Sequence, residues 1–195
     1  MNVAFFVSGG GSNFKAVLEK VKSGDLKINI PLVVSSNINA GANEIARAEN
    51  IDLFLVNKEN QDEILSVLKE KNIDLIILAG YLKKIPDEIV AAYKNKIINI
   101  HPSLLPAFGG KGMFGENVHK AAIERGVKIS GLTIHLVDEI YDNGAILFQK
   151  AVEVLPDDTP SSLGARILKE EHDSLWRVVK GLVERFQQSR EDGLV

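Results

Sequence analysis

Over its first hundred residues the chain alternates short apolar runs with stretches whose apolar residues recur at helical spacing. This alternation is typical of βαβ units, in which helices cover a mostly parallel sheet. The predicted strands cover residues 1–8, 30–35, 53–56, 74–79 and 97–101, and the predicted helices follow residue 11 and cover 40–49, 61–71 and 86–93. The nearly continuous apolar run D-L-I-I-L-A indicates a sheet buried on both faces. The pattern therefore predicts an α/β fold with a mostly parallel central sheet.

The second half of the chain departs from this regular alternation. Residues 107–115 contain four glycines and no periodicity, which predicts a mobile loop. A predicted helix over 117–125 is followed by two predicted strands, 130–137 and 145–154, that can pair as an antiparallel hairpin. Thr159 and Pro160 are suited to begin a long amphipathic helix through about residue 186, after which residues 187–195 are expected to fray.

Composition limits the size and the chemistry of the fold. With 195 residues, 45% of them hydrophobic, and no internal repeat or linker, we expect a single domain over residues 1–195. A net charge of −3 with interleaved signs argues against a nucleic-acid partner. Cysteine is absent and the four histidines lack zinc-site spacing, so no metal is expected. The first residues resemble neither a secretory signal nor a membrane span, which predicts a cytoplasmic protein.

Two polar side chains interrupt the fifth predicted strand. Asn99 and His101 lie two positions apart and project from the same face of a strand, and Pro102 ends the strand pairing directly after them. Both side chains can therefore contact one substrate at a strand end. The alternative is that they are core polar groups, satisfied by hydrogen bonds to neighbouring loops. Two other histidines, His119 and His135, are interpreted as structural.

A glycine-rich turn, G-G-G-S-N at residues 9–13, joins the first predicted strand to the first predicted helix. Backbone N–H groups at a helix N-terminus favour an anion, and Ser12 and Asn13 can add side-chain donors. The turn is not a P-loop, and it lacks the dinucleotide fingerprint because Phe14 stands at the closing glycine position. We therefore expect it to bind a phosphate rather than a dinucleotide, unless the glycines serve only to pack a tight turn.

Two acidic segments stand in the second half of the chain. Asp142, in a D-N-G turn, either bonds its own backbone or lies near the end of the fifth strand, where it would orient His101 and keep it protonated. The run E-E-H-D at residues 170–173 is most simply a solvated helix face. In the other interpretation, Glu171 accepts a hydrogen bond from a substrate hydroxyl group.

These motifs resemble, in order and spacing, those of the folate-dependent formyltransferases, and within that family the enzymes that act on glycinamide ribonucleotide. The most specific pieces are S-G-G-G-S-N at 8–13, L-A-G-Y at 78–81, N-I-H-P-S-L-L-P at 99–106 and H-L-V-D-E-I-Y-D-N-G at 135–144, and the resemblance covers nearly the whole chain. It implies a Rossmann-like three-layer fold. It also implies transfer of a formyl group from the cosubstrate 10-formyltetrahydrofolate to the ribonucleotide amine in de novo purine biosynthesis. We expect a monomer or a homodimer.

The resemblance also implies roles for individual residues. The family's catalytic Asn, His and Asp match Asn99, His101 and Asp142. Chemically, the Asn99 amide and a protonated His101 are suited to donate hydrogen bonds to the oxyanion that forms on the formyl group. The residues implied to bind the ribonucleotide are Gly11, Ser12, Asn13 and Glu171, and those implied to bind the folate are Leu82, Lys83, Ile85, Val90, Ile97, Val137 and Asp138.

Three features differ from some members of that family. Lys83 stands where many members have arginine, residues 57–61 contain no arginine, and residues 109–115 replace a shorter Pro-Gly loop. The alternatives to this function are a 10-formyltetrahydrofolate hydrolase and a formyltransferase acting on another amine, such as that of methionyl-tRNA. The known hydrolases carry an added N-terminal domain, and the methionyl-tRNA enzymes an added C-terminal domain. A third alternative, a non-catalytic nucleotide-binding module, would need the glycine turn but not the catalytic trio.

Overall fold

The computed structural model describes residues 1–191, and these form an α/β fold. The strands are β1 Asn2–Val7, β2 Asn29–Ser35, β3 Asp52–Leu55, β4 Leu75–Leu78, β5 Ile97–His101, β6 Ile129–Leu136 and β7 Ile146–Glu153. The helices are α1 Ser12–Lys22, α2 Gly41–Ala48, α3 Ile64–Glu70, α4 Asp87–Ala92, α5 Glu116–Glu124 and α6 Pro160–Glu191, with a 3₁₀ turn at Gln61–Glu63. All the predicted elements are present, which confirms the predicted fold class.

The last helix differs from its prediction at one end. Helix α6 begins at Pro160, as predicted, but continues to Glu191 instead of ending near residue 186. Residues 187–191 are thus part of the helix, their expected fraying stays a prediction, and residues 192–195 lie outside the described part of the chain.

All seven strands form one sheet in the order β3-β2-β1-β4-β5-β6-β7. Strands β1 to β5 are parallel, β6 is antiparallel to β5, and β7 is antiparallel to β6, which confirms the predicted hairpin. The order reverses at β1, because β2 lies on one side of it and β4 on the other. In open α/β sheets, ligands bind at the carboxyl ends of the strands near such a reversal. The polar end of β5, at His101, lies at this edge of the sheet.

Helices pack against both faces of the sheet and bury two apolar clusters. On one face, Phe14 of α1, Ala122 of α5 and Leu163 of α6 belong to a single cluster, and α6 contacts both α1 and α5. On the other face, Leu68 of α3 and Ile89 of α4 belong to the second cluster. The segment between β5 and α5 therefore leads to the face of α1 and α6, whereas the segment between β4 and α4 leads to the opposite face. No helix in residues 1–191 is long and apolar enough to cross a membrane.

Candidate active site

Strand β5 presents Asn99 and His101 at its carboxyl end, and the loop after β6 brings Asp142 to them. Asn99 Nδ2 donates a 3.3 Å hydrogen bond to Asp142 Oδ1, and His101 Nδ1 lies 3.7 Å from Asp142 Oδ2. The His101 side chain is 5% exposed and the Asp142 side chain 12%. The structure thus brings the three predicted residues together in a site from which most water is excluded, where electrostatic interactions are stronger than in bulk solvent.

A backbone carbonyl fixes the orientation of the His101 ring. His101 Nε2 donates a 2.9 Å hydrogen bond to the carbonyl oxygen of Phe108, which can only accept, so Nδ1 is the nitrogen that faces Asp142. Burial lowers the pKa of His101 below its ordinary value, and the raising effects of Asp142 and of the Phe108 bond do not offset it. Asp142 therefore favours the protonated ring against the effect of burial, and its role in keeping His101 protonated stays a prediction. Residues 107–115, which include Phe108, are irregular as predicted, and their mobility remains a prediction.

The same loop also holds Asp142. The Gly110 N–H donates a 2.8 Å hydrogen bond to Asp142 Oδ2. Burial alone would raise the pKa of Asp142, but the nearby His135 ring and the Gly110 N–H outweigh it and lower the pKa, so the carboxylate is charged at neutral pH. A Cβ at Gly109 would lie 2.5 Å from Leu105 Cδ2 and 3.2 Å from Asp142 Cβ. A side chain at residue 109 would therefore require Leu105 and Asp142 to shift.

A second histidine, His135, lies directly opposite Asn99 in the β5–β6 pairing. Its Nδ1 donates a 2.8 Å hydrogen bond to the Leu136 carbonyl, so its Nε2 can accept from Asn99 Nδ2 at 3.1 Å. The same Nε2 lies 3.6 Å from Asp142 Oδ1. Interpreting His135 as purely structural overlooked this contact. The available signal was its place at the start of the H-L-V-D-E-I-Y-D-N-G motif.

The glycine turn has the geometry of an anion site. Gly11 is the N-cap of α1, with φ 76° and no side-chain cap. A Cβ at Gly11 would lie 2.6 Å from Ala42 Cβ, so both its conformation and its packing require glycine. The first N–H groups of α1, which include those of Ser12 and Asn13, have no partner within the helix and can donate to a phosphate.

Helix α6 supplies a buried carboxyl group beside this turn. Glu171 is only 6% exposed, so the solvated-face interpretation is wrong for this residue. Its Oε2 accepts a 2.7 Å hydrogen bond from Asn13 Nδ2, which uses one of the two hydrogens of the Asn13 amide. Burial raises the pKa of Glu171 to about 7, against the lowering effect of Asn13. Within the described residues, Asn13 Oδ1 is buried with no hydrogen-bond partner. The Asn13 and Glu171 side chains can therefore together accept and donate hydrogen bonds to a polar ligand.

One cavity of about 1000 Å³ connects these groups. Its wall includes Asn99, His101 and Asp142 at the end of β5, and Asn13 and Glu171 on the helices beside it. This volume is at the upper end of the usual range for a small-molecule site, large enough for two substrates side by side. Residues 1–191 contain no group of three or more His, Asp or Glu side chains that could hold a metal ion.

Most of the predicted folate-binding residues also lie on the cavity wall. They are Leu82, Lys83 and Ile85 after β4, and Val137 and Asp138 after β6. The other two, Val90 and Ile97, are not on the wall, and both are buried in the apolar cluster that also contains Ile85. Of the predicted phosphate-binding turn, Asn13 lies on the wall, whereas Gly11 and Ser12 do not. The wall after β4 and β6 thus combines apolar side chains with the charged Lys83 and Asp138, whereas Asn13 and Glu171 supply polar groups on the α1–α6 side.

The chain is similar to known proteins in both sequence and structure. Residues 1–179 match the family model described as formyl transferase. The chain is 44% identical to the chloroplastic phosphoribosylglycinamide formyltransferase of Arabidopsis thaliana, over 98% of this chain and 68% of that protein. It is 38% identical to the phosphoribosylglycinamide formyltransferase of Bacillus subtilis, over 92% of this chain and 93% of that protein. The crystal structure of glycinamide ribonucleotide transformylase 1 from Symbiobacterium toebii aligns with a TM-score of 0.88 at 33% identity, covering 94% and 88% of the two chains.

Proposed function

The chain belongs to the formyl transferase family, and from this premise we propose that Asn99, His101 and Asp142 are the residues with which it transfers a formyl group. It is a folate-dependent formyltransferase of purine biosynthesis, which takes the formyl group from 10-formyltetrahydrofolate and passes it to the amine of glycinamide ribonucleotide. One observation carries the assignment of the residues. Asn99, His101 and Asp142 meet on the wall of a cavity that also contains Asn13 and Glu171.

Negative charge develops on the formyl oxygen when the amine attacks the formyl carbon. The Asn99 side-chain amide donates two hydrogen bonds, and the one to Asp142 is the longer, at 3.3 Å. The formyl oxygen takes the place of Asp142 as its acceptor. His101 has Nε2 committed to Phe108, so the protonated ring donates through Nδ1, and the charge of Asp142 favours that proton. One such donor contributes roughly 3 to 4 kcal/mol. The proton of the attacking nitrogen passes to Asp142 through water, and the leaving folate nitrogen takes up a proton.

The two substrates occupy opposite sides of the cavity in this proposal. The ribonucleotide phosphate lies at the Gly11, Ser12 and Asn13 N–H groups, and its ribose hydroxyls reach Glu171. The folate lies against the apolar side chains that follow β4 and β6. Holding the amine and the formyl group together converts a bimolecular reaction into an effectively unimolecular one, which supplies much of the rate enhancement.

Consumption of 10-formyltetrahydrofolate by the purified protein, with and without glycinamide ribonucleotide, tests the reaction. We expect consumption only when the ribonucleotide is present, with one formylated ribonucleotide formed for each folate consumed. Equal consumption without the ribonucleotide would identify a hydrolase instead. No consumption under either condition, with the ribonucleotide still bound, would identify a binding module.

The buried carboxyl group of Glu171 predicts a pH-dependent affinity for the ribonucleotide. Its pKa of about 7 means that the charged form, the better acceptor for hydroxyl groups, appears between pH 6 and pH 8. We expect the KM for the ribonucleotide to fall roughly tenfold as the pH rises over this range, because the ionised fraction rises by about that factor. In Glu171→Gln the KM should be higher and lack this dependence.

The substrate phosphate itself titrates near pH 6, so any pH dependence that remains in Glu171→Gln belongs to the phosphate. A control for the substitution itself is also needed. Glu170→Gln provides one, because Glu170 is the adjacent residue on α6 but lies 4.0 Å from Lys150 and off the cavity wall. It should keep the pH dependence of the wild type. If Glu171→Gln keeps the same dependence, the carboxyl group is not its source.

Lys83 predicts how the folate glutamate tail is bound. It lies on the cavity wall after β4 and forms no ion pair or hydrogen bond with another described residue. We expect Lys83→Met to raise the KM for the folate roughly fivefold, the effect of losing one partly exposed ion pair. The KM for a formyl folate without the glutamate should not change. A variant with unchanged affinity for the complete folate would remove Lys83 from the site.

We also propose that residues 1–195 form one domain, working in the cytoplasm as a monomer or a homodimer. All the described strands belong to a single sheet, which supports the one-domain assignment. The Arabidopsis relative is named chloroplastic, whereas the name of the Bacillus subtilis relative gives no compartment. Cell fractionation tests the compartment, and sedimentation of the purified protein tests the number of subunits.

A further inference from the structure

Three lysines lie on the cavity wall, and they differ in their partners. Lys84 Nζ is 2.7 Å from Asp87 Oδ1. Lys83 and Lys111, in contrast, form no hydrogen bond or ion pair with another residue of the described chain. Lys83 is accounted for by the folate tail in the proposed function. Lys111, in the glycine-rich loop between β5 and α5, has no role so far.

Lys83 and Lys111 lie on segments that lead to opposite faces of the sheet. Lys83 precedes α4, whose Ile89 packs in the cluster shared with α3. Lys111 precedes α5, whose Ala122 packs in the cluster shared with α1 and α6. Asn13 is on α1 and Glu171 is on α6, so the segment that carries Lys111 leads to the face on which these two wall residues lie, and we take Lys111 to belong to the ribonucleotide side. Within the described residues, no other lysine or arginine lines the cavity on that side.

The charge balance on that side calls for a cation. A phosphate monoester carries a charge of about −1.5 to −2 at neutral pH, whereas the N-terminus of a helix such as α1 contributes only about +0.5. The Glu171 carboxylate adds further negative charge. The remaining basic group on this part of the wall, His119, is buried, which lowers its pKa and favours the neutral ring.

We propose that Lys111 binds the phosphate of the ribonucleotide from the side opposite the glycine turn, and so makes the enzyme select a phosphorylated amine. This inference rests on the proposed function, because it assumes that the ribonucleotide occupies the α1–α6 side of the cavity. The ammonium group would neutralise the part of the phosphate charge that the α1 N–H groups leave uncompensated.

A double-mutant cycle between the lysine and the phosphate tests the proposal. Wild type and Lys111→Met are compared on glycinamide ribonucleotide and on the corresponding riboside, which lacks the phosphate. We expect Lys111→Met to lower kcat/KM for the ribonucleotide roughly tenfold, the loss of about one charge-assisted contact, and to leave kcat/KM for the riboside unchanged. Higher salt should weaken ribonucleotide binding more in the wild type than in the variant, because salt screens the lost ion pair.

Lys120→Met is the matched control, since Lys120 is an exposed lysine of α5 that lies near Glu124, at 3.8 Å, and off the cavity wall. It should behave as the wild type, and Lys111→Arg should retain most of the activity because it keeps the charge. An equal loss on both substrates, or a loss that appears only in the folate KM, would overturn the role of Lys111.

Calorimetric binding of the ribonucleotide separates this inference from the function on which it rests. If the wild type binds the ribonucleotide but does not formylate it, the proposed function fails. The role of Lys111 is still tested by the affinities of the wild type and of Lys111→Met for the ribonucleotide and for the riboside. If the ribonucleotide does not bind at all, both fail.

Discussion

His101→Ala should lower kcat roughly a thousandfold, the upper part of the range for loss of one donor to a developing oxyanion. The expectation follows from the geometry, because the Phe108 carbonyl fixes Nε2 and leaves Nδ1 as the nitrogen available to the reacting group. The KM for the ribonucleotide should change little, since His101 donates its hydrogen bond mainly in the transition state. Steady-state kinetics with both substrates measures this.

Replacing a buried ring by alanine also leaves a cavity, so stability must be measured separately for His101. His101→Gln keeps a side chain with N–H donors, and thermal unfolding shows whether either variant is folded at the assay temperature. A folded variant that retains the wild-type kcat would show that His101 is not catalytic. Unchanged ribonucleotide binding together with lost turnover would set the protein apart from a nucleotide-binding module, which has no turnover to lose.

Asp142→Asn should lower kcat roughly a hundredfold, within the range for loss of a positioned proton-transfer group. The substituted side chain can still accept the hydrogen bond from the Gly110 N–H, so the loop is expected to keep its place. The charge is lost, however, and Asp142 raises the pKa of His101 in the wild type. The pKa of His101, followed by NMR of the ring protons, should therefore be lower in Asp142→Asn than in the wild type.

The matched control for Asp142 is Asp157→Asn, because Asp157 is an exposed aspartate between β7 and α6 and lies off the cavity wall. It should leave both kcat and the His101 pKa unchanged. If Asp142→Asn lowers kcat without moving the pKa of His101, then the carboxylate acts in proton transfer alone. If neither quantity changes, Asp142 has no part in the chemistry.

The order of the elements and the meeting of Asn99 with His101 could be predicted from the sequence for a simple reason. Apolar periodicity identifies strands and helices, and the two-residue repeat of a strand places both side chains on one face. That Asp142 joins them was expected from the tendency of loops in α/β sheets to converge at the carboxyl ends of the strands. The structure places it 3.3 Å from Asn99.

Three features of the site could not be predicted in this way. The Phe108 carbonyl orients His101 through a backbone atom, and every residue type carries the same carbonyl. The contact of His135 with Asn99 depends on the antiparallel register of β5 and β6, which hydrophobic pattern alone did not fix. Glu171 is buried because α6 packs against α1, although its neighbours along the helix, Glu170 and Asp173, are charged and more exposed. Burial of one acidic residue within a charged run leaves no trace in the periodicity.

The buried Glu171 also has a consequence for folding. Its pKa is about 7 in the folded protein against 4.5 for an ordinary glutamate, so the fold favours the protonated form. The contribution of the protonated Glu171 carboxyl group to stability is intact below about pH 4.5 and is lost as the pH rises towards 7. The free energy of unfolding falls by on the order of 2 to 3 kcal/mol over this range. Glu171→Gln should therefore make the protein more stable in mild alkali but weaken its binding of the ribose. The site thus keeps a destabilising acid where the ribonucleotide binds, and a bound substrate that hydrogen-bonds the carboxylate returns part of the lost stability.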